Sequence, residues 1–197
     1  EWRSEPVSGM ALGGTTVLAL DGFSGTLWIR PSSEVAAQLE ARCQRWLRQR
    51  SISAQNDGIQ EMAEMVRQDL EDLGFAEAEI VPTDGHPGVW GYYDAGAEKT
   101  LVMYLMYDVQ PVEPDDWESP PFDANVIDHR LGKVLMARGA TNQKGPERAF
   151  LNALESIIAV DGTLPINIMV TAEGEEELGS PNYPQIVDAY ENRLKTA

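Results

Sequence analysis

The hydrophobic positions of this chain change period several times, and each change predicts an element. Val35, Leu39, Cys43, Trp46 and Leu47 recur at helical spacing, predicting a helix over 33–50 with Ser33 as its N-cap and Glu34 in its first turn. Ile59, Met62, Ala63, Val66, Leu70 and Leu73 share the face of a second helix over 57–73, capped by Asp57 and ended by Gly74. Strand signals follow at 78–81, 89–93 and 100–105. A short turn around Gly96 links the last two, which suggests a hairpin, and the apolar run Leu101 to Leu105 suits a strand buried on both faces. Pro111, Pro114, Pro120 and Pro121 then make 108–123 a long loop. A helix over 146–160 burying Leu151, Leu154, Ile157 and Ile158, a strand over 165–171 and a helix over 184–195 complete the pattern. Earlier, the apolar stretch 15–29 is interrupted by Asp21, Gly22, Ser24 and Gly25 and reads as two short strands, so 1–32 is expected to be an N-terminal extension with a candidate hairpin. Helices alternating with apolar strands imply an α/β sandwich around a mixed sheet.

Composition narrows the class. At 43% hydrophobic and 24% charged, the 197-residue chain is long enough for one domain with a sizeable core. Its 32 acidic residues outnumber 15 basic ones, giving a net charge of −17, and such a surface repels phosphate backbones, which argues against nucleic acid as a partner. No apolar run is long enough to span a membrane. Cys43 is the single cysteine, so no intrachain disulfide forms; on its helix it reads as a small buried hydrophobe, and the expected compartment is cytoplasmic.

Active sites in α/β sheets gather at strand ends, and three polar clusters sit there. They are Met106-Tyr107-Asp108, the run from Arg138 to Gly145, and Glu173-Gly174-Glu175-Glu176-Glu177. Four glutamates in five residues raise each other's pKa unless a cation or hydrogen bonds offset them. An isolated acidic run is usually a solvated loop. This one follows an apolar strand directly and precedes Gly179-Ser180-Pro181, which favours a site. The two histidines, His86 and His129, read as turn or surface residues.

The order and spacing of these motifs resemble the zinc-dependent metallopeptidase family of dipeptidases, carnosinase, aminoacylases and succinyl-diaminopimelate desuccinylase, and its dipeptidase-like branch most of all. The resemblance runs through Ser51 to Ala54, Asp84 to Pro87, Tyr107 to Pro111, Trp117 to Phe122 and Glu173 to Asn182, covering roughly 34–197. It implies a three-layer sandwich with a mixed sheet, like the catalytic domain of zinc exopeptidases, incomplete here because 33–197 matches only its N-terminal portion. A lid or dimerisation domain and a C-terminal catalytic segment are expected elsewhere, as a second chain or fragment, in an oligomer. The family hydrolyses amides of small peptide-like or N-acyl substrates with two zinc ions sharing a bridging water. By position, Glu176 matches the general base, Glu177 a metal ligand, Asp108 the aspartate that orients a histidine ligand, and Lys144 the basic residue beside the bridging ligand. Trp117, Phe122 and Asn142 fall on the substrate side.

Two ligand positions depart from the family. Met106 stands where the first histidine belongs, and a thioether suits divalent zinc poorly. Asn142 stands for the bridging aspartate, and its amide has a single acceptor oxygen. The resemblance therefore implies no metal, or one divalent zinc at reduced affinity. Three functions stay open at this point: an amide hydrolase or acyl-transfer enzyme with the two-zinc site lost or reduced, in which Glu176, Asp108 and Lys144, with Glu177, supply the catalytic acid-base groups; a non-catalytic binding or structural subunit; and a metal-dependent dipeptidase with a weakened site.

Overall fold

A computed structural model describes residues 16–21, 26–30 and 34–197 except 131, with side chains from 37 onward. The expected Ser33 cap lies outside the described residues. The chain order is β1 (Thr16–Asp21), β2 (Thr26–Arg30), α1 (Glu34–Arg48), α2 (Ile59–Asp72), β3 (Glu77–Val81), β4 (Gly88–Tyr93), β5 (Thr100–Met106), β6 (Asn125–His129), β7 (Gly132–Met136), α3 (Lys144–Asp161), β8 (Asn167–Glu173), α4 (Tyr183–Ala189) and α5 (Glu191–Leu194). Among the described residues, no helix is long and apolar enough to cross a membrane.

The main sheet has the order β3-β4-β8-β5. It is mixed: β4 pairs antiparallel with β3 and β8, and β5 runs parallel to β8. Every residue of β8 is buried, because alternate side chains enter two cores. Ile168 and Val170 join Met62, Leu70 and Leu151 in the core beneath α2 and α3. Met169 joins Val81, Trp90 and Ile186 on the opposite face, under α4. Helices on both faces of a mixed sheet make the three-layer α/β sandwich.

The expected hairpin between β4 and β5 does not form, because β8 lies between them. Asn167 explains the threading. Its Oδ1 accepts hydrogen bonds from the amides of Ala95 and Ala97 at 2.9 and 3.2 Å, and its Nδ2 donates to the Ala97 carbonyl at 2.9 Å. The β4–β5 loop is thus fastened over the start of β8, and the most apolar strand takes the centre. As a result β5 is an edge strand among the described residues, not one buried on both faces. Leu101, Val102 and Tyr104 are 39%, 40% and 44% exposed.

Asp57 does not cap α2. The N-cap is Gly58 at φ 73°, where a Cβ would lie 2.1 Å from the Arg50 carbonyl oxygen. Asp57 instead bridges Ile52 through backbone hydrogen bonds and pairs with Arg50. The last helix is broken at Tyr190, whose ring lies flat on Trp90 with centroids 4.1 Å apart while its hydroxyl donates to Glu79 at 3.0 Å. A second sheet, β1-β2-β7-β6, is antiparallel throughout. Cys43 and Leu47 of α1 pack with Leu135 and Ala137 in a small core of their own. Burial pushes the Cys43 thiol up to about 11, which suits a packing residue.

α1, α2 and α3 are joined by a buried polar knot. Asp69 accepts from Trp46 Nε1 at 2.6 Å and from Arg148 at 2.7 Å, and Arg45 adds a third contact. Arg148 also donates to Asn152 at 3.0 Å. Asp69→Ala leaves the buried Arg148 guanidinium only the more distant Glu155 carboxylate, at 3.8 Å, so chemical denaturation should show a loss of about 3 kcal/mol.

Candidate active site

The parallel pairing of β5 with β8 sets Met106 opposite Glu173, so both strands deliver their following loops to the same end of the sheet. The register continues one residue further, where the Tyr107 amide donates to the Glu173 carbonyl at 2.9 Å. Tyr107 is fully buried, and its hydroxyl donates to the Pro87 carbonyl. Its ring fills the space beside Gly174, where a Cβ would meet ring atoms at 2.6 Å.

The four glutamates divide into two kinds. Glu173 is buried and accepts from Tyr104 Oη at 2.6 Å and Ser180 Oγ at 2.8 Å, leaving Oε2 without a partner among the described residues. Glu175 is buried and accepts from Asn182 Nδ2 at 2.7 Å. Those two brace the loop. Glu177 is half-buried and accepts from Gln110 Nε2 at 2.8 Å. Glu176 is also half-buried, and its carboxylate makes no hydrogen bond among the described residues. Burial raises its pKa above the ordinary carboxylate value, and the charges of Glu177, Asp108 and Glu173 push the same way.

Glu176 to Leu178 form a single 3-10 turn. Asp108, fully buried, sits at its start: one carboxylate oxygen accepts the Glu176 amide and the other the Glu177 amide, each at 3.1 Å. Burial raises the Asp108 pKa, and these hydrogen bonds oppose that rise.

Lys144, the first residue of α3, is fully buried, with Nζ donating to the Gln49 carbonyl at 2.5 Å and to Ser51 Oγ at 3.1 Å. Burial lowers its pKa to about 7, against the pull of Glu147. The lysine thus braces the Gln49–Ser51 segment, whose Ser51 carbonyl in turn accepts the Val109 amide at 2.8 Å. Asn142 is exposed on the loop before α3, and Met106 is buried at the end of β5. Trp117 and Phe122 are held by guanidinium stacking, Arg138 lying 5.2 Å from the Trp117 centroid and Arg50 4.7 Å from that of Phe122. His86 reaches the Ser53 carbonyl at 3.0 Å, and His129 ends β6 in the second sheet. Sequence reasoning missed Glu147. It is buried, accepts the Met106 amide at 2.6 Å, and has its other oxygen unpartnered among the described residues. Burial holds it far above the ordinary carboxylate range. Its only signal was its place in the first turn of α3, between Lys144 and Arg148, two basic residues that are also buried.

Residues 106–195 match the model of peptidase family M20/M25/M40. The solved M20 metallo-carboxypeptidase Sso-CP2 of Sulfolobus solfataricus superposes with a TM-score of 0.71 at 35% identity, over 82% of this chain and 35% of that one. The chain belongs to the M20 peptidase family. Human carnosine dipeptidase 1 has the same fold, with a TM-score of 0.72 at 25% identity over 81% of this chain and 36% of its own. Among curated relatives, the Cys-Gly metallodipeptidase DUG1 of Candida albicans is 32% identical over 143 residues, 66% of this chain and 29% of its own length. The Beta-Ala-His dipeptidase of Homo sapiens is 36% identical over 96 residues, 48% of this chain and 18% of its own. The chain therefore spans about a third of the M20 proteins it superposes on and less than a third of these curated relatives. The scaffold is that of a peptidase.

Within this M20 scaffold, Gly174 is required by the packed Tyr107 ring. Gly174→Ala should cost about 1–3 kcal/mol by overpacking, read as a lower denaturation midpoint, since the fully buried ring has no room to retreat.

Proposed function

We propose that this chain carries the proton-transfer group of an amide-bond hydrolase, or of an acyl-transfer enzyme, acting on small peptide-like or N-acyl substrates. One observation carries the reading: of the four clustered glutamates, Glu176 alone keeps a carboxylate free of hydrogen bonds among the described residues, with its proton affinity raised. A general base with a pKa lifted toward working pH is suited to taking a proton from water. The water oxygen then bonds to the substrate carbonyl carbon, and the proton passes to the leaving nitrogen as the C–N bond breaks. Asn142, exposed on its loop, offers NH₂ donors for the substrate carbonyl. Trp117 and Phe122 form part of the wall in this reading.

The donors present do not fit the family's pair of zinc ions. Met106 supplies a neutral thioether and Asn142 one acceptor oxygen in place of a bridging carboxylate. Glu177 retains a carboxylate suited to one divalent ion at reduced affinity, and no step of the proposed reaction depends on it. The chemistry proposed for Lys144 is support for the loop, since its amine is enclosed.

Turnover of a panel of dipeptides and N-acyl amino acids tests the assignment. Glu176→Gln should lower kcat by about 10²–10⁴; unchanged turnover removes Glu176 from the role. Because the base works ionised and its pKa is raised, activity should be lost as pH falls through a value above 4.5, while a limb at or below 4.5 contradicts the raised pKa. Bound metal, measured by elemental mass spectrometry on the complete assembly, should not exceed one zinc per site. Met106→His combined with Asn142→Asp should increase zinc occupancy, and two zinc ions in the unaltered protein would overturn the reduced-site reading.

A further inference from the structure

We infer that Asp108 is a positioning residue that aims Glu176 through the backbone, a task separate from orienting a metal-bound ring. The inference rests on the reading of Glu176 as the base. A 3-10 turn bonds its own later amides: Leu178 donates to the Glu175 carbonyl at 3.0 Å and Gly179 to that of Glu176 at 2.8 Å. Its first amides have no partner within the turn. Those are the amides of Glu176 and Glu177, and Asp108 takes both, one on each oxygen. The side chain directions of the two glutamates follow from this clamp, because two hydrogen bonds from one rigid planar carboxylate to consecutive amides fix the position and tilt of the turn.

Asp108 is itself well placed to act as a fixed point. It is fully buried, it follows the Tyr107 amide bonded to β8, and it precedes the Val109 amide bonded to Ser51. The hydrogen bond from Lys144 to Ser51 supports the same segment from beneath. Glu177, the second residue of the turn, is fastened at its tip by Gln110, which lies two residues beyond Asp108. The chain from Tyr107 to Gln110 therefore grips the turn at both its backbone and one side chain, and Glu176 is the residue left pointing free.

Amide hydrogen exchange in the intact protein, resolved at Glu176 and Glu177, tests the clamp without relying on turnover. Asp108→Ala should speed exchange at both amides by about tenfold or more, while the Tyr107 amide and the β8 amides keep their rates. Asp108→Asn keeps the shape but has one acceptor oxygen, so one of the two amides should lose protection. It also decides the matter if Asp108→Ala loosens the whole domain. Unchanged exchange at both amides in Asp108→Asn would overturn the inference. With a peptide that the protein turns over, Asp108→Asn should lower kcat by about tenfold or more and leave KM within about twofold. A raised KM with kcat intact would also overturn it, by showing that Asp108 serves binding. If the unaltered protein turns over no peptide or N-acyl substrate, the hydrolase reading fails, and the exchange rates still decide the role of Asp108.

Discussion

The parallel pairing of β5 and β8 is the constraint on which the rest of this structure depends. Parallel neighbours end at the same side of a sheet, so whatever follows one strand meets whatever follows the other. Here that brings Asp108 to the glutamate turn, with Met106 opposite Glu173 as the last paired register. An antiparallel hairpin between β4 and β5 would leave β8 elsewhere and separate Asp108 from the acids. The small side chain that prevents this is Asn167, whose amide holds the β4–β5 loop across the foot of β8. A structural asparagine about a strand's length from the site thus helps to hold the strand order in which the site assembles.

The packing of carboxylates at one sheet end sets an electrostatic problem, and the chain solves it by unequal sharing of donors. Glu173 receives two hydroxyl hydrogen bonds, Glu175 an amide, Glu177 a glutamine and Asp108 two backbone amides. Each bond to an ionised acceptor contributes more than a neutral one and offsets desolvation. Glu176 receives none, so no hydrogen bond offsets its burial or the charges of Glu177, Asp108 and Glu173, and its proton affinity rises. The reactivity of one residue is in this sense a product of the satisfaction of its neighbours.

Much of this was legible in the sequence because it depends on periodicity. The stripes Leu39 to Leu47 and Ile59 to Leu73, the apolar run that became β8, and the strand-end placement of Asp108 and the glutamates all follow from local pattern. What stayed hidden depends on contacts distant in sequence. Gly58 caps α2 because the Arg50 carbonyl leaves no room for a side chain, while Asp57, the better cap by type, is taken by Arg50. The β6–β7 hairpin was unread, since neither strand has the long apolar run of β8. Leu101 and Val102 looked like core by composition, yet exposure depends on a strand's place in the sheet. Glu147 and Lys144 show the converse, charged types that are enclosed only because α3 starts against Ser51 and the end of β5.

The substitution at position 106 bears on why Asp108 stays ionisable and buried at all. A carboxylate this deep is costly unless hydrogen bonds replace its water. In the family pattern an imidazole shares that task, and a methionine side chain offers no donor to share it. Were the ring the only support, losing it would leave an unsatisfied buried charge and favour losing the aspartate as well. The two amides of the glutamate turn remove that pressure, since they satisfy one oxygen each with no help from residue 106. Retention of Asp108 beside Met106 is therefore intelligible on structural grounds alone: the carboxylate is needed by the turn, and the turn is needed by the carboxylate, whether or not a metal is ever bound nearby.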